Sequence, residues 1–264
     1  GVSYSLANTA VGFEALYTNN PTFLGNAQYN TAIGYKSLRQ NTNGNGNTAL
    51  GYNALNENTN GSSNTAVGSS ALLANTTGLR NVAIGTATAW NNTAGSDNIA
   101  IGTLALSTQN FNIGYGYSTG NIAIGFYSLF NNNPTVSDNG KYNTAIGYYA
   151  MKENTIGFNN TTLGYYSAVN NTTGSYNVAI GDSSGFTLTT GNNNTLLGKK
   201  ADVITNNLTY AAAVGADATV NCSNCLALGG NTGITRTKVG INNNNPFYTL
   251  DVKQIGNYGI GLTN

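Results

Sequence analysis

Two cysteines stand three apart in Asn221-Cys-Ser-Asn-Cys225, a spacing that admits a redox pair, half of a metal site or a local cross-link. The chain has no His and no second Cys pair, so a closed four-ligand zinc site within one chain is all but excluded. A redox role needs a βαβ context that this sequence lacks. What remains is a disulfide between Cys222 and Cys225 or two unreactive thiols. Gly181-Asp-Ser-Ser-Gly185 sets serines beside glycine, as an exposed nucleophile would be, yet without His there is no general base of the usual kind. Asp97, Asp138, Asp182, Asp202 and Asp217 stand singly, with no Asp-x-Asp-Gly calcium loop around them. Gly114-x-Gly116-x-x-x-Gly120 has neither the spacing nor the following helix of a dinucleotide fingerprint. The chemistry-bearing residues therefore lead to no enzyme, no cofactor and no metal.

The elements that carry these residues are written as a repeat. Asn-x-small-(Val/Ile/Leu)-Gly begins at Asn8, Asn30, Asn47, Asn64, Asn81, Asn98, Asn121, Asn143, Asn160, Asn177 and Asn194. The steps are 22, 17, 17, 17, 17, 23, 22, 17, 17 and 17 residues, a base period of 17 with three lengthened units. With the leading Asn as position 0, a full unit reads Asn-Thr-Ala-Ile-Gly-Tyr-x-Ala-Leu-x-x-Asn-Thr-x-Gly-x-x. It is nearly intact over residues 47–63 and 64–80. A two-helix repeat needs about 33 residues, and Asn, Gly and Thr at these densities are poor helix formers. Short strands bounded by Gly and Asn remain. The fold expected is all-β: a parallel β-solenoid, or β-roll, of about 13 coils, one unit per coil. Residues 1–229 form the repeat shaft and residues 230–264 a non-repeat cap.

Composition narrows the partners. Charged residues are 7% of the chain against roughly 25% in ordinary soluble domains, while Asn alone accounts for 47 of 264 residues. The net charge is +1, with charges scattered singly, which argues against nucleic acid. No apolar run approaches the ~20 residues that span a bilayer, and no charged-then-apolar leader opens the chain. Because it opens at Gly1, the chain reads as a processed product or a piece of a longer polypeptide.

Within the unit, Gly at positions 4 and 14 is expected at corners. Asn at positions 0 and 11 is expected to accept left-handed backbone and to bond the Asn of the next coil. Position 2 is nearly always Ala and position 3 always Val, Ile or Leu, so both faces of the first strand are apolar or small. Position 8 adds a ladder of Leu16, Leu38, Leu55, Leu72, Leu106, Leu129 and Met151. A 17-residue coil is expected to be too thin to bury all of these, so lateral association into a homo-oligomer would supply the missing burial.

The units Asn30-Thr-Ala-Ile-Gly34, Asn47-Thr-Ala-Leu-Gly51 and Asn81-Val-Ala-Ile-Gly85 resemble the repeats of trimeric autotransporter adhesin heads, over roughly residues 8–229. The resemblance implies left-handed β-rolls packed as a homotrimeric rod. Near the end, Lys238-Val-Gly-Ile-Asn-Asn-Asn-Asn-Pro-Phe-Tyr-Thr-Leu-Asp-Val252 is similar to a Val-Gly-Ile-Gly-x-x-x-Pro-x-x-x-Leu-Asp-Val segment of phage tail-fibre and tailspike-like proteins, with Asn242 in place of the second Gly. There the segment often precedes a self-cleaving chaperone, which implies a mature product or a truncated chain here.

The lengthened units place their extra residues within 18–29, 107–120 and 130–142, so loops are expected along one edge, the last two on adjacent coils. Their aromatics, Phe23, Tyr29, Phe111, Tyr115, Tyr117, Phe130 and Tyr142, are the candidate receptor-binding residues, for a cell-surface glycan or protein. The alternative is that they fold back onto a neighbouring coil or chain. Tyr at positions 5 and 6 is expected to staple adjacent coils rather than form exposed ladders. The sequons at Asn75 and Asn171 are a by-product of Asn/Thr richness. The expected function is an extracellular, non-enzymatic fibre segment, virion fibre or cell surface, attaching to a host. The alternative is a bacterial surface adhesin or a filament subunit.

Overall fold

The computed structural model describes residues 7–22, 25–110 and 118–230, together with the backbone of two later strands. It is an all-β parallel solenoid, and no helix occurs among the described residues. Each Asn-led turn opens with a three-residue strand: β1 (Thr9–Val11), β2 (Thr31–Ile33), β3 (Thr48–Leu50), β4 (Thr65–Val67), β5 (Val82–Ile84), β6 (Ile99–Ile101), β7 (Ile122–Ile124), β8 (Thr144–Ile146), β9 (Thr161–Leu163), β10 (Val178–Ile180) and β11 (Thr195–Leu197). After β12 (Asp202–Val203) come β13 (Ala212–Val214), β14 (Thr219–Val220) and β15 (Leu226–Leu228). β1–β11, β13 and β15 form one 13-stranded sheet in strict chain order. The register superposes like on like: Thr48, Ala49 and Leu50 pair with Thr65, Ala66 and Val67. β12 pairs with β14 in a second, two-stranded sheet. Eleven Asn-led turns thus carry the solenoid, and the shorter turns from Ala211 and Cys225 extend its sheet by two strands. In the remainder, β16 (Val239–Ile241) pairs in parallel with β17 (Leu250–Val252).

One chain buries more than its thin coil suggested. The Ala column at position 2 (Ala32, Ala49, Ala66, Ala83) and the position-8 column (Leu38, Leu55, Leu72, Leu106, Leu129, Met151) are completely buried within the single chain. The position-8 ladder therefore needs no partner, contrary to expectation, because Leu faces Ala across the coil and the pair fills it. Burying each such Leu is worth about 2 kcal/mol. That offsets the left-handed backbone at positions 6 and 8, as at Lys36 and Leu38 or Tyr149 and Met151, which costs on the order of 1 kcal/mol per residue.

The polar half of the interior is a pair of amide columns. Asn64 donates from its backbone N (3.0 Å) and from Nδ2 (3.2 Å) to Oδ1 of Asn47 in the previous turn. At position 11, Asn58 Nδ2 donates to Asn41 Oδ1 (3.0 Å). Both columns meet at the position-14 carbonyl, where Gly61 O accepts from Asn47 Nδ2 and Asn58 Nδ2, each at 2.9 Å. These Asn residues are buried and are not left-handed, so hydrogen bonding alone accounts for them. The two Gly positions also differ in cause. Gly51 has φ +138°, and a Cβ there would lie 2.6 Å from Gly68 O. Gly61 needs no left-handed φ; a Cβ would strike Asn58 Oδ1 and lie 2.6 Å from Gly78 O.

Candidate functional site

The three insertions all fall between the position-11 amide and the position-14 corner, after Asn19, Gln109 and Asn132, so the expected single loop edge is present. Gln109 is the exception to the loop reading. Its side chain is completely buried and takes the place of Asn in the amide column. Nε2 donates to Asn92 Oδ1 (3.0 Å) and Thr119 Oγ1 (3.1 Å), and Oε1 accepts from Asn121 and Asn132 Nδ2 (3.0 Å each). Its longer side chain carries the column past the insertion. A count of eleven from Asn98 identifies it in the sequence.

Phe23, Phe111, Tyr115 and Tyr117 lie outside the described residues. Tyr29 and Tyr142 are exposed, but they occupy the corner immediately before Asn30 and Asn143, both with left-handed φ, as do Tyr176 and Tyr210. They belong to the repeat and flank the loops rather than sit in them. Lys141 Nζ lies 5.3 Å from the Tyr142 ring centre and 3.0 Å from Asp138 Oδ1. Phe130 is half-buried at position 9, its ring 4.7 Å from Tyr127 of its own turn, whereas the alternative placed it on a neighbouring coil or chain. The third loop is closed by Asn139, whose Oδ1 accepts from Thr135 N (3.0 Å), leaving 135–138 exposed.

The position-5 column is both stacked and exposed and the position-6 column half-buried, so stapling and display are not exclusive. At position 5, Phe13, Tyr35 and Tyr52 stack at 5.5 and 5.2 Å, and Phe126, Tyr148 and Tyr165 at 5.2 and 5.5 Å. At position 6, Tyr127, Tyr149 and Tyr166 follow at 5.4 and 5.1 Å. Lost hydration, then the neighbouring hydroxyls of Tyr149 and Tyr166, hold the Tyr148 and Tyr165 phenols above their ordinary range, so they stay uncharged at neutral pH. Beside these columns the position-3 residues face outward on all thirteen rungs, from Val11 through Leu50 and Leu163 to Leu228, exposed or half-exposed.

Cys222 and Cys225 form a disulfide with Cα atoms 5.7 Å apart. Cys225 O accepts from Ala212 N as Asn64 O does from Thr48 N, so Cys225 stands where other turns have Asn and Cys222 where they have the corner Gly. Ser184 is buried and donates to Leu196 O (2.8 Å), while Ser183 donates to Asp182 Oδ1 (2.7 Å). Asp97 pairs with Arg80 at 2.6 Å across one turn, and the Arg80 hydrogen bond holds its carboxyl below the usual range. The sequon asparagines Asn75 and Asn171 are buried rungs, closed to glycosylation once the chain has folded. Among the described residues no group of three or more His, Cys, Asp or Glu could hold a metal, and no helix is long and apolar enough to cross a membrane. No family model and no curated protein matches the chain.

Proposed function

We propose that the protein is a non-enzymatic extracellular fibre segment, viral tail-fibre-like, in which three chains pack laterally and present edge loops to a receptor on a host cell surface. The observation that carries this reading is the outward position-3 column, an apolar stripe thirteen rungs long that a single chain leaves in water. Three-fold packing is taken from the resemblance to trimeric adhesin heads. With three copies of each loop on a stiff rod, weak sites combine by avidity. A cellular adhesin would use the same geometry.

Sedimentation of the purified chain tests the packing. A trimer is expected, dissociated by the double change Ile101→Arg and Ile146→Arg; a stable monomer overturns the reading. Loop function is tested by deleting residues 111–117 while sparing Gln109. Cell binding should fall with thermal stability nearly unchanged, and unaltered binding would remove that loop from the receptor site.

A further inference from the structure

The turns from Asn177 and Asn194 keep the position-0 amide column but depart from the repeat at positions 8 and 11. Position 8 is Gly185 in the first, and Leu196 fills the vacated space, its Cδ1 3.1 Å from where a Gly185 Cβ would stand. Position 11 is Leu188, which ends the second amide column; Asn171 Oδ1 above it is buried without a partner, as is Asn75 Oδ1 within the regular turns. In the next turn the inward role moves from position 8 to position 9, where Val203 packs beside Val220. A one-residue shift reverses side-chain direction, so Asp202 is turned away from the core.

The shift opens a cleft of about 330 Å³ lined by Ser183, Phe186, Lys200 and Asp202, at the small end of the ~300–1,000 Å³ range of ligand sites. Asp202 is held rigidly. In regular turns the position-10 N–H donates to a backbone carbonyl, as Glu57 N does to Leu73 O; here Thr187 N donates to the Asp202 carboxylate, 2.9 Å to Oδ2 and 3.2 Å to Oδ1. Val203 N donates to Oδ1 as well (2.8 Å). The Thr187 side chain also bonds the carboxylate, and since a carboxylate offers about four acceptor sites, Asp202 keeps little more than one for a ligand hydroxyl. Phe186 is 47% exposed and, unlike the stacked columns whose ring faces cover one another, has no ring partner among the described residues. Lys200 and Asp202 make no ion pair, and their opposite charges favour neither an anion nor a cation.

We propose that this cleft binds one neutral sugar ring, its C–H face on Phe186, a hydroxyl donating to Asp202 and another accepting from Lys200. The cleft lies away from the loop corner and is complete within one chain, so the proposal does not depend on the fibre reading. Saturation-transfer NMR and calorimetry with the methyl glycosides of glucose, galactose and N-acetylglucosamine test it, with alanine as a zwitterionic control. At least one sugar should bind in the millimolar range. Phe186→Ala should weaken it about tenfold, the effect of one aromatic contact, without changing the thermal midpoint. Lys200→Met should weaken it less, and deletion of 111–117 should leave it unchanged. No sugar binding, binding indifferent to Phe186→Ala, or preference for alanine each overturns the proposal.

Discussion

The turns before Asn177 and the turns after it wind the same sheet with different interiors. In the first region half of the coil is amide: Asn64 alone takes part in hydrogen bonds with Asn47, Asn81 and Gly78. In the second, Leu188, Val203, Leu208 and Val220 fill the interior, and a disulfide occupies the corner where Gly and Asn stood. Apolar contact is tolerant of register, whereas a buried amide must meet its donors and acceptors at fixed places. The comparison teaches that the position-11 amides hold their side of the coil in step: past them the inward position shifts by one residue at Val203, while β10, β11 and β13 keep the 17-residue register.

The largest effect should come from a change that affects the winding itself. Gly51→Ala adds a Cβ 2.6 Å from Gly68 O at φ +138°, and denaturant unfolding should show a loss of about 3 kcal/mol or more, if the chain folds. Next comes an exchange across the boundary. Asn58→Leu in the amide region strands Asn41 Oδ1, leaves Asn75 Nδ2 with Gly78 O alone and should cost about 3 kcal/mol; Leu188→Asn should cost only about 1 kcal/mol, since it offers Asn171 Oδ1 a donor in return for lost burial. Equal losses would end the distinction between the regions. Reducing the Cys222–Cys225 disulfide closes no long loop and should cost about 2 kcal/mol, seen as faster amide exchange confined to β13–β15. Smallest is Arg80→Met, an exposed pair whose contribution is present above the ordinary carboxylate range and is lost as pH falls through the lowered Asp97 value. Its shift in thermal midpoint should be less than any of the others and vanish in acid.

Much of the winding was legible because each position repeats: Asn-to-Asn bonding, the Ala and aliphatic columns and the loop edge all follow from counting. What counting by residue type missed were substitutions that keep a role while changing the residue. Gln109 reads as loop because it is not Asn, yet it holds the column. Phe130 reads as loop because it follows the Leu column, yet it packs on Tyr127. The self-sufficiency of the Leu38–Met151 column depended on how much space Ala leaves opposite, a three-dimensional quantity. The cleft at Phe186 had a signal, Gly185 and Asp202 where Leu belongs, but its meaning required knowing which way Asp202 turns.

Because like residues stand above like, each winding between β2 and β5 sees the same floor and ceiling. An in-frame loss or gain of one such unit would alter only the number of stacked turns, so the length of the solenoid can change without redesign of the interior.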